Sequence, residues 1–373
     1  NFGARAFSYT APSGFKALVD TNLTAPTIAK PEDYFDAKTY SGNNSTQTIS
    51  LNFSPDFIWL KCRNSARSHR LIDTVRGLSY QLFSNQTAGG DTYDATSYVS
   101  SVTSTSSSGF VVDNSGSDQY NTTGETYVAW AWDAASSNST NTSGTITSTV
   151  RANATAGFSI VTYTGTGADA TVGHGLGAAP SLYIVKSRSI ADGWYVYHSN
   201  LGNTKYLRLN ATNAEATLNI WNNAGPSSTT FSIGGTNGPA GNGVTYVAYC
   251  FAPVAGYSAF GSYTGNGSDD GPFVFCNFRP RYLLIKQTNA GNPWIVRDTA
   301  RDTYNSSTSA KLAPNESYEE NNSTYIGTAG QTLVDFLSNG FKVRSTGSIS
   351  NASGSTYIYA AFAESPFQYA RAR

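Results

Sequence analysis

One pattern occurs three times in this chain with constant spacing. The first copy carries Tyr40-Ser-Gly-Asn43, then Pro55-Asp-Phe-Ile-Trp-Leu-Lys61, then Leu71-Ile-Asp73. The second carries Tyr163-Thr-Gly-Thr166, Pro180-Ser-Leu-Tyr-Ile-Val-Lys186 and Val196-Tyr-His198. The third carries Tyr263-Thr-Gly-Asn266, Pro280-Arg-Tyr-Leu-Leu-Ile-Lys286 and Val296-Arg-Asp298. Pro to Lys is six residues and Lys to Asp or His is twelve in every copy. Each copy closes on a similar run, Thr126-Tyr-Val-Ala-Trp-Ala-Trp132, Thr245-Tyr-Val-Ala-Tyr-Cys-Phe251 or Thr356-Tyr-Ile-Tyr-Ala-Ala-Phe362. Self-similarity at a fixed period restricts the fold to an array of like units.

The repeats read as strands. Phe57-Ile-Trp-Leu60 and its counterparts are apolar on both pleat faces, as in a fully covered strand. The closing runs are rich in aromatic and β-branched residues. Pro is tolerated at a strand start, and the terminal Lys can carry its charge to water while its stem stays packed. Tyr-x-Gly, Asn266-Gly267 and Asn339-Gly340 supply positive-φ turn positions. A single helical turn at Leu333–Ser338 is the one helical candidate. The expected fold is all-β: three tandem antiparallel β-sandwich (jelly-roll-like) repeats of about 100 residues, the size of one sandwich.

The expected domains are an N-terminal extended arm (1–34), repeat 1 (35–134), a Ser/Thr-rich linker (135–157), repeat 2 (158–254), repeat 3 (257–366) and a C-terminal tail (367–373). Repeats 2 and 3 join almost directly at Ala252–Tyr257, so they are expected to pack as a rigid pair. The arm holds strand-like pieces, Ala6–Tyr9 and Phe15–Leu18, and stands outside every repeat. Its Phe2, Phe7, Tyr9 and Phe15 are the candidates for pairing with a neighbouring subunit's sheet. The chain has no Met, so Asn1 is expected to follow a removed leader or a missing upstream segment.

Twenty-four Lys+Arg balance twenty-four Asp+Glu. Zero net charge leaves no basic surplus for nucleic acid or anionic lipid. No apolar run reaches the ~18 residues of a membrane-spanning helix.

The Tyr263–Pro272 stretch, the Pro-x-aromatic-x-x-x-Lys strands and Ala361-Phe-Ala-Glu-Ser-Pro-Phe367 resemble β-rich repeat domains of unknown function in virion and tail-fibre structural proteins of aquatic bacteriophages. In such proteins a lectin-like sandwich often precedes the stretch resembling Asn1–Leu18. The resemblance implies an extracellular structural part and supplies no catalytic residues.

The catalytic inventory is short. His69, His174 and His198 form no metal-ligand spacing, and His198 holds a slot filled by Asp73 and Asp298 elsewhere. Asp73/Arg76 and Asp298/Arg301 recur three residues apart, as an architectural ion pair would. Asp269-Asp270 and Glu319-Glu320 read as solvated loop acids, with structural calcium as the alternative; no other cofactor is expected. Cys62, Cys250 and Cys276 are expected to be free buried thiols, with a Cys250–Cys276 disulfide as the alternative. Trp59, Trp130, Trp132, Trp194 and Trp294 fall on repeat strands and read as core. Trp221 alone sits in loop-like sequence, where it could stack on a sugar.

Sequons are abundant: Asn22, Asn43, Asn44, Asn52, Asn85, Asn121, Asn138, Asn141, Asn153, Asn210, Asn266, Asn305, Asn315, Asn321, Asn322 and Asn351. A chain that is roughly a quarter Ser and Thr should hold about half as many by chance. Glycan is expected on exposed loops, above all at Asn138, Asn141, Asn153, Asn305, Asn315 and Asn322.

The expected function is therefore a non-enzymatic subunit of an extracellular fibre or virion appendage. Its partner is itself, in a helical homopolymer. A glycan-binding adhesin or receptor-binding module that engages surface glycans is the alternative, and a polysaccharide depolymerase a more distant one.

Overall fold

The computed structural model describes residues 25–89, 102–113, 120–135, 137–235, 238–305, 310–320, 322 and 333–367. Among these the fold is all-β, with antiparallel ladders and one 3-10 turn at Pro31–Asp33. Phe2, Phe7, Tyr9, Phe15, Asn22 and Asn321 lie outside the described residues.

Each repeat builds a main sheet with one shared strand order. In repeat 1 it runs Phe35–Ser41, Thr126–Trp132, Phe57–Cys62, Arg70–Asp73, Gln81–Phe83. Repeat 2 places Phe158–Thr164, Thr245–Phe251, Leu182–Ser187, Trp194–His198 and Lys205–Arg208 in the same order, and repeat 3 places Ser258–Thr264, Thr356–Pro366, Phe278–Gln287 and Ile295–Asp298. The register repeats too. Phe57 faces Asp73 and Trp132, Leu182 faces His198 and Phe251, and Tyr282 faces Asp298 and Phe362. Pro280 lies inside its strand at a register shift, where no ladder N–H is required.

A smaller outer sheet covers one face of each main sheet. The outer sheets are Gln47–Ser50 with Gly109–Val112 and Val102–Ser106, Ala170–Gly173 with Thr230–Ile233, and Phe273–Phe275 with Gly340–Val343 and Val334–Leu337. Within Leu333–Ser338, Val334–Leu337 is thus a strand of a hairpin, and the stretch is not a helical turn. Gly340 is required there by close approach and not by positive φ: a Cβ on it would sit 2.0 Å from the Val274 carbonyl oxygen.

The two-sided apolar strands explain how the repeats assemble. Ile58 and Leu60, Tyr183 and Val185, and Leu283 and Ile285 point into three separate cores beneath the outer sheets. The alternate residues, Phe57 and Trp59, Leu182 and Ile184, Tyr282 and Leu284, all enter one central core shared by the three repeats. At its middle is an apolar crevice of about 20 Å³ lined by the cross-strand pairs Phe57/Trp132, Leu182/Phe251 and Tyr282/Phe362. That is room for about one water. The chain is therefore a closed pseudo-threefold unit and not a string of self-contained sandwiches. The reason is that each main sheet has a second apolar face which its own outer sheet cannot cover.

Two connecting segments differ from expectation. Residues 135–157 contain strands Ser139–Asn141 and Ser148–Asn153, which extend the repeat 2 main sheet. Val150 and Ile146, both buried, anchor this otherwise polar stretch. Ile28, from the expected arm, is 2% exposed and joins the central core.

Candidate functional site

A recurring set of buried polar side chains lies on the seams between repeats. Lys61, Lys186 and Lys286 do not reach water; all three are fully buried. Each Nζ donates to the carbonyl of the next residue, Cys62 at 2.7 Å, Ser187 at 3.0 Å and Gln287 at 2.8 Å. Each also donates across a seam. Lys61 reaches Ser317 O in repeat 3 (3.2 Å), Lys186 reaches Thr87 O in repeat 1 (3.0 Å), and Lys286 reaches Thr212 O in repeat 2 (3.1 Å). The three bonds close a ring. Burial pulls each of these ammonium groups down to about 8.

A second ring runs beside the first. Trp194 Nε1 donates to Phe83 O and Trp294 Nε1 to Arg208 O, both at 2.9 Å. In repeat 1 the same position is His69, beside the backbone of Ala313; its Nδ1 accepts from Trp59 Nε1 at 2.9 Å.

The Asp/His slot forms a third ring of opposite sense. Asp73 Oδ2 accepts from Arg76 Nε (2.5 Å) and from the Tyr249 hydroxyl of repeat 2 (2.8 Å). Asp298 Oδ2 accepts from Arg301 Nε (2.6 Å) and from Trp130 Nε1 of repeat 1 (2.9 Å). Trp130 and Tyr249 occupy one position of the closing run; in repeat 3 that position is Ala360, which has no donor. Repeat 2 also has Leu201 where the others have Arg. A neutral imidazole fits this gap. His198 Nδ1 accepts from Asn200 N–H, and Nε2 faces the Tyr359 carbonyl at 3.1 Å. Burial pulls His198 down to about 4. The unfolded chain therefore takes up a proton that the folded one refuses between pH 6.5 and 4. Stability is expected to fall as pH drops through that window. His198→Asp would bury a carboxylate with neither partner, and should lower unfolding stability in urea by about 3–5 kcal/mol at pH 7.

The sequons obey the same architecture. Asn85, Asn210 and Asn315 stand at one repeat position, two residues before the carbonyls that receive the lysines. Asn210 Oδ1 caps Trp194 N–H and Asn315 Oδ1 caps Trp294 N–H, each at 2.9 Å. Asn43 pairs with Asn121 (3.1 Å) and Asn266 with Asn351 (3.0 Å), side-chain amide to side-chain amide. Repeat 2 has lost both members of this pair together, carrying Thr166 and Ala240. Seven sequons thus arise from repeated structural asparagines, which accounts for the excess over chance.

The expected glycan sites change accordingly. Asn315 is buried, not in an exposed loop, as are Asn121 and Asn351. Asn141 and Asn85 are half-buried, and the half-buried amides of Asn153, Asn305 and Asn322 are held by Asp133, Phe336 O and Glu319. Asn43, Asn44, Asn52, Asn138 and Asn266 are exposed. In a glycosylating host, glycopeptide mapping should find sugar at the exposed group and none at Asn121, Asn315 or Asn351.

Other candidates resolve plainly. Cys250 and Cys276 are free and lie in separate cores, so they form no disulfide. Burial pushes the Cys276 thiol up to about 12. Trp221 is a core residue and not a sugar platform: it is fully buried, packs edge-on to Tyr183, and donates to Lys205 O. Glu320 ties repeat 3 to Arg63 of repeat 1 at 2.9 Å and also bonds Arg301. Asp270 pairs with Lys342. Among the described residues no three His, Cys, Asp or Glu side chains group as metal ligands would.

Two open clefts follow the seams. One holds Asp56, Asp133 and Arg151, the other Asp36, Arg281 and Glu364. Asp56 is ion-paired to Arg151 and accepts from Thr74 (2.8 Å), while Arg281 Nε bonds Asp36 (3.0 Å). Burial raises the Asp56 carboxyl above the usual range. Asp56 and Asp36 thereby bind neighbouring repeats together.

A family model for a domain of unknown function, DUF7483, matches residues 30–366. The chain belongs to the DUF7483 family. No curated protein and no solved structure matches it. The DUF7483 match takes in all three repeats of this chain and the seams between them.

Proposed function

We propose that this DUF7483 chain is a non-enzymatic structural subunit of an extracellular fibre or virion appendage, assembling with itself into a helical filament. One observation carries the reading. Six buried side chains able to do chemistry, Asp73, Asp298, His198, Lys61, Lys186 and Lys286, are engaged in locking repeat to repeat. A block locked in this way is rigid and presents sheet edges at its outside, which suits a building element. The resemblance to phage virion and tail-fibre domains agrees with it. The burial of Trp221 removes the tryptophan on which the adhesin alternative would have stacked a sugar.

Electron microscopy of the purified full chain tests this. Ordered filaments of uniform width are expected as concentration rises. Dispersed particles at every concentration would overturn the proposal.

A further inference from the structure

The outer sheets of the three repeats share one design but differ at their free edge. In repeat 3 that edge is Phe273–Phe275. Val274 points into the core, while Phe273 and Phe275 are 46% and 58% exposed. The equivalent outward residues are Thr48 and Ser50 in repeat 1, and Thr171 and Gly173 in repeat 2. Two solvent-facing phenylalanines on one short edge strand are therefore particular to repeat 3.

Their backbone is also open. Val343 N–H bonds Pro272 O and Cys276 N–H bonds Asn339 O, so residues 272, 274 and 276 face the neighbouring strand. The N–H and C=O groups of Phe273 and Phe275 then point away from the sheet. An unpaired edge of this kind is a template for one more strand.

Repeat 2 displays the added strand in place. There the segment before the repeat lies along the edge: Ile146 bridges Val172 in parallel, and Ile146 N–H donates to Thr171 O at 3.0 Å. Thr171 N–H donates to Thr145 Oγ1, and Ser148 Oγ donates to Gly173 O, both at 2.8 Å. These are the positions that Phe273 and Phe275 hold in repeat 3. Repeat 3 follows repeat 2 across Ala252–Tyr257, too short a junction to supply such a segment.

We infer that the Phe273–Phe275 edge receives a strand from residues 1–20 of a second copy of this chain, with Phe7 and Tyr9 set beside Phe273 and Phe275. This rests on the filament reading above and names its joint. Ile146 lies twelve residues before Phe158, and the same spacing before Phe35 falls on Leu23. By spacing alone, the stretch around Leu23 is the sequence counterpart of the Ile146 segment, and residues 1–20 precede it. In an extended segment Phe7 and Tyr9 share one face, as Phe273 and Phe275 do. Two cross-strand aromatic pairs then cover the exposed rings. Donor arm and acceptor edge are different surfaces of the chain, so the contact is heterologous, and with a rotation that does not close a ring it propagates as an open helix.

The test uses full-length chains in which Phe275 is replaced by the photoreactive p-benzoylphenylalanine. Isotope-labelled and unlabelled chains are mixed before assembly, irradiated and analysed by mass spectrometry. Cross-links joining position 275 to residues 1–20 in mixed-isotope pairs are expected. Carrying the repeat 1 residues, Phe273→Thr with Phe275→Ser, should cut filament yield by about tenfold or more, with the far-UV circular dichroism unchanged. Cross-links to residues 1–20 found only within one isotope would mean self-docking, and cross-links elsewhere or none would refute the edge; either overturns the inference. Filaments that persist undiminished in the double variant would overturn the joint and leave the fibre reading standing. Mixed-isotope cross-links without filaments would keep the joint and overturn the fibre reading.

Discussion

Trp130→Ala is expected to remove most of this domain's stability. Trp130 is fully buried, packs edge-on to Trp59 (6.0 Å) and Tyr282 (5.7 Å), and lies under the Arg301 guanidinium. Truncating a buried aromatic costs about 3–5 kcal/mol. Removing its indole N–H also strips a donor from the buried Asp298 carboxylate, for about 1–3 kcal/mol more. A typical domain has about 5–15 kcal/mol in total. Trp130→Tyr should recover much of the loss, because Tyr249 performs the same task opposite Asp73. Urea unfolding followed by fluorescence would measure both. A midpoint for Trp130→Ala close to that of the unchanged protein would show that the Trp130–Asp298 seam carries little.

Stability is also expected to climb between pH 8 and 9, by about 2 kcal/mol. Lys61, Lys186 and Lys286 are pulled by burial from 10.5 to about 8. Above pH 8 the unfolded chain still holds three protons that the folded chain is releasing, so raising the pH favours the fold. The thiols act oppositely. Burial raises Cys62, Cys250 and Cys276, so above about pH 9 the unfolded state sheds thiol protons that the folded state keeps. Burial raises phenols in the same way, Tyr163, Tyr183, Tyr249, Tyr257 and Tyr263 among them, so the climb should end there and stability turn down toward pH 10. Lys186→Met removes one of three contributing sites and should reduce the rise by about a third. Thermal denaturation across pH 7 to 10 checks the profile. A flat or falling course from pH 8 to 9 would refute the assignment.

The repeat register was legible in the sequence because strand pairing repeats with it: Phe57, Leu182 and Tyr282 are equivalent in fact. The Asp73/Arg76 and Asp298/Arg301 pairs, and His198 as a member of the same slot, were legible for the same reason. The fate of Lys61, Lys186 and Lys286 was not. A lysine at a strand end normally reaches water, and nothing local reveals that another repeat closes over it. Asn85, Asn210 and Asn315 looked like surface chemistry because N-x-[ST] is read locally. Aligning them to the lysine spacing would have exposed one recurring structural position. Trp221 and residues 135–157 have polar neighbours, and single buried anchors such as Ile146 and Val150 give no periodicity that would reveal their burial. The closed arrangement itself had one signal, strands apolar on both faces, which equally fits a covered central strand.

Three repeats share one core and rings of seam contacts, and so are expected to stand or fall together. Differential scanning calorimetry of the full chain addresses it directly. A single transition is expected, with calorimetric and van't Hoff enthalpies equal within error. Trp130→Ala should shift that whole transition down without splitting it. Separate transitions for individual repeats, or a van't Hoff enthalpy near a third of the calorimetric one, would contradict the account.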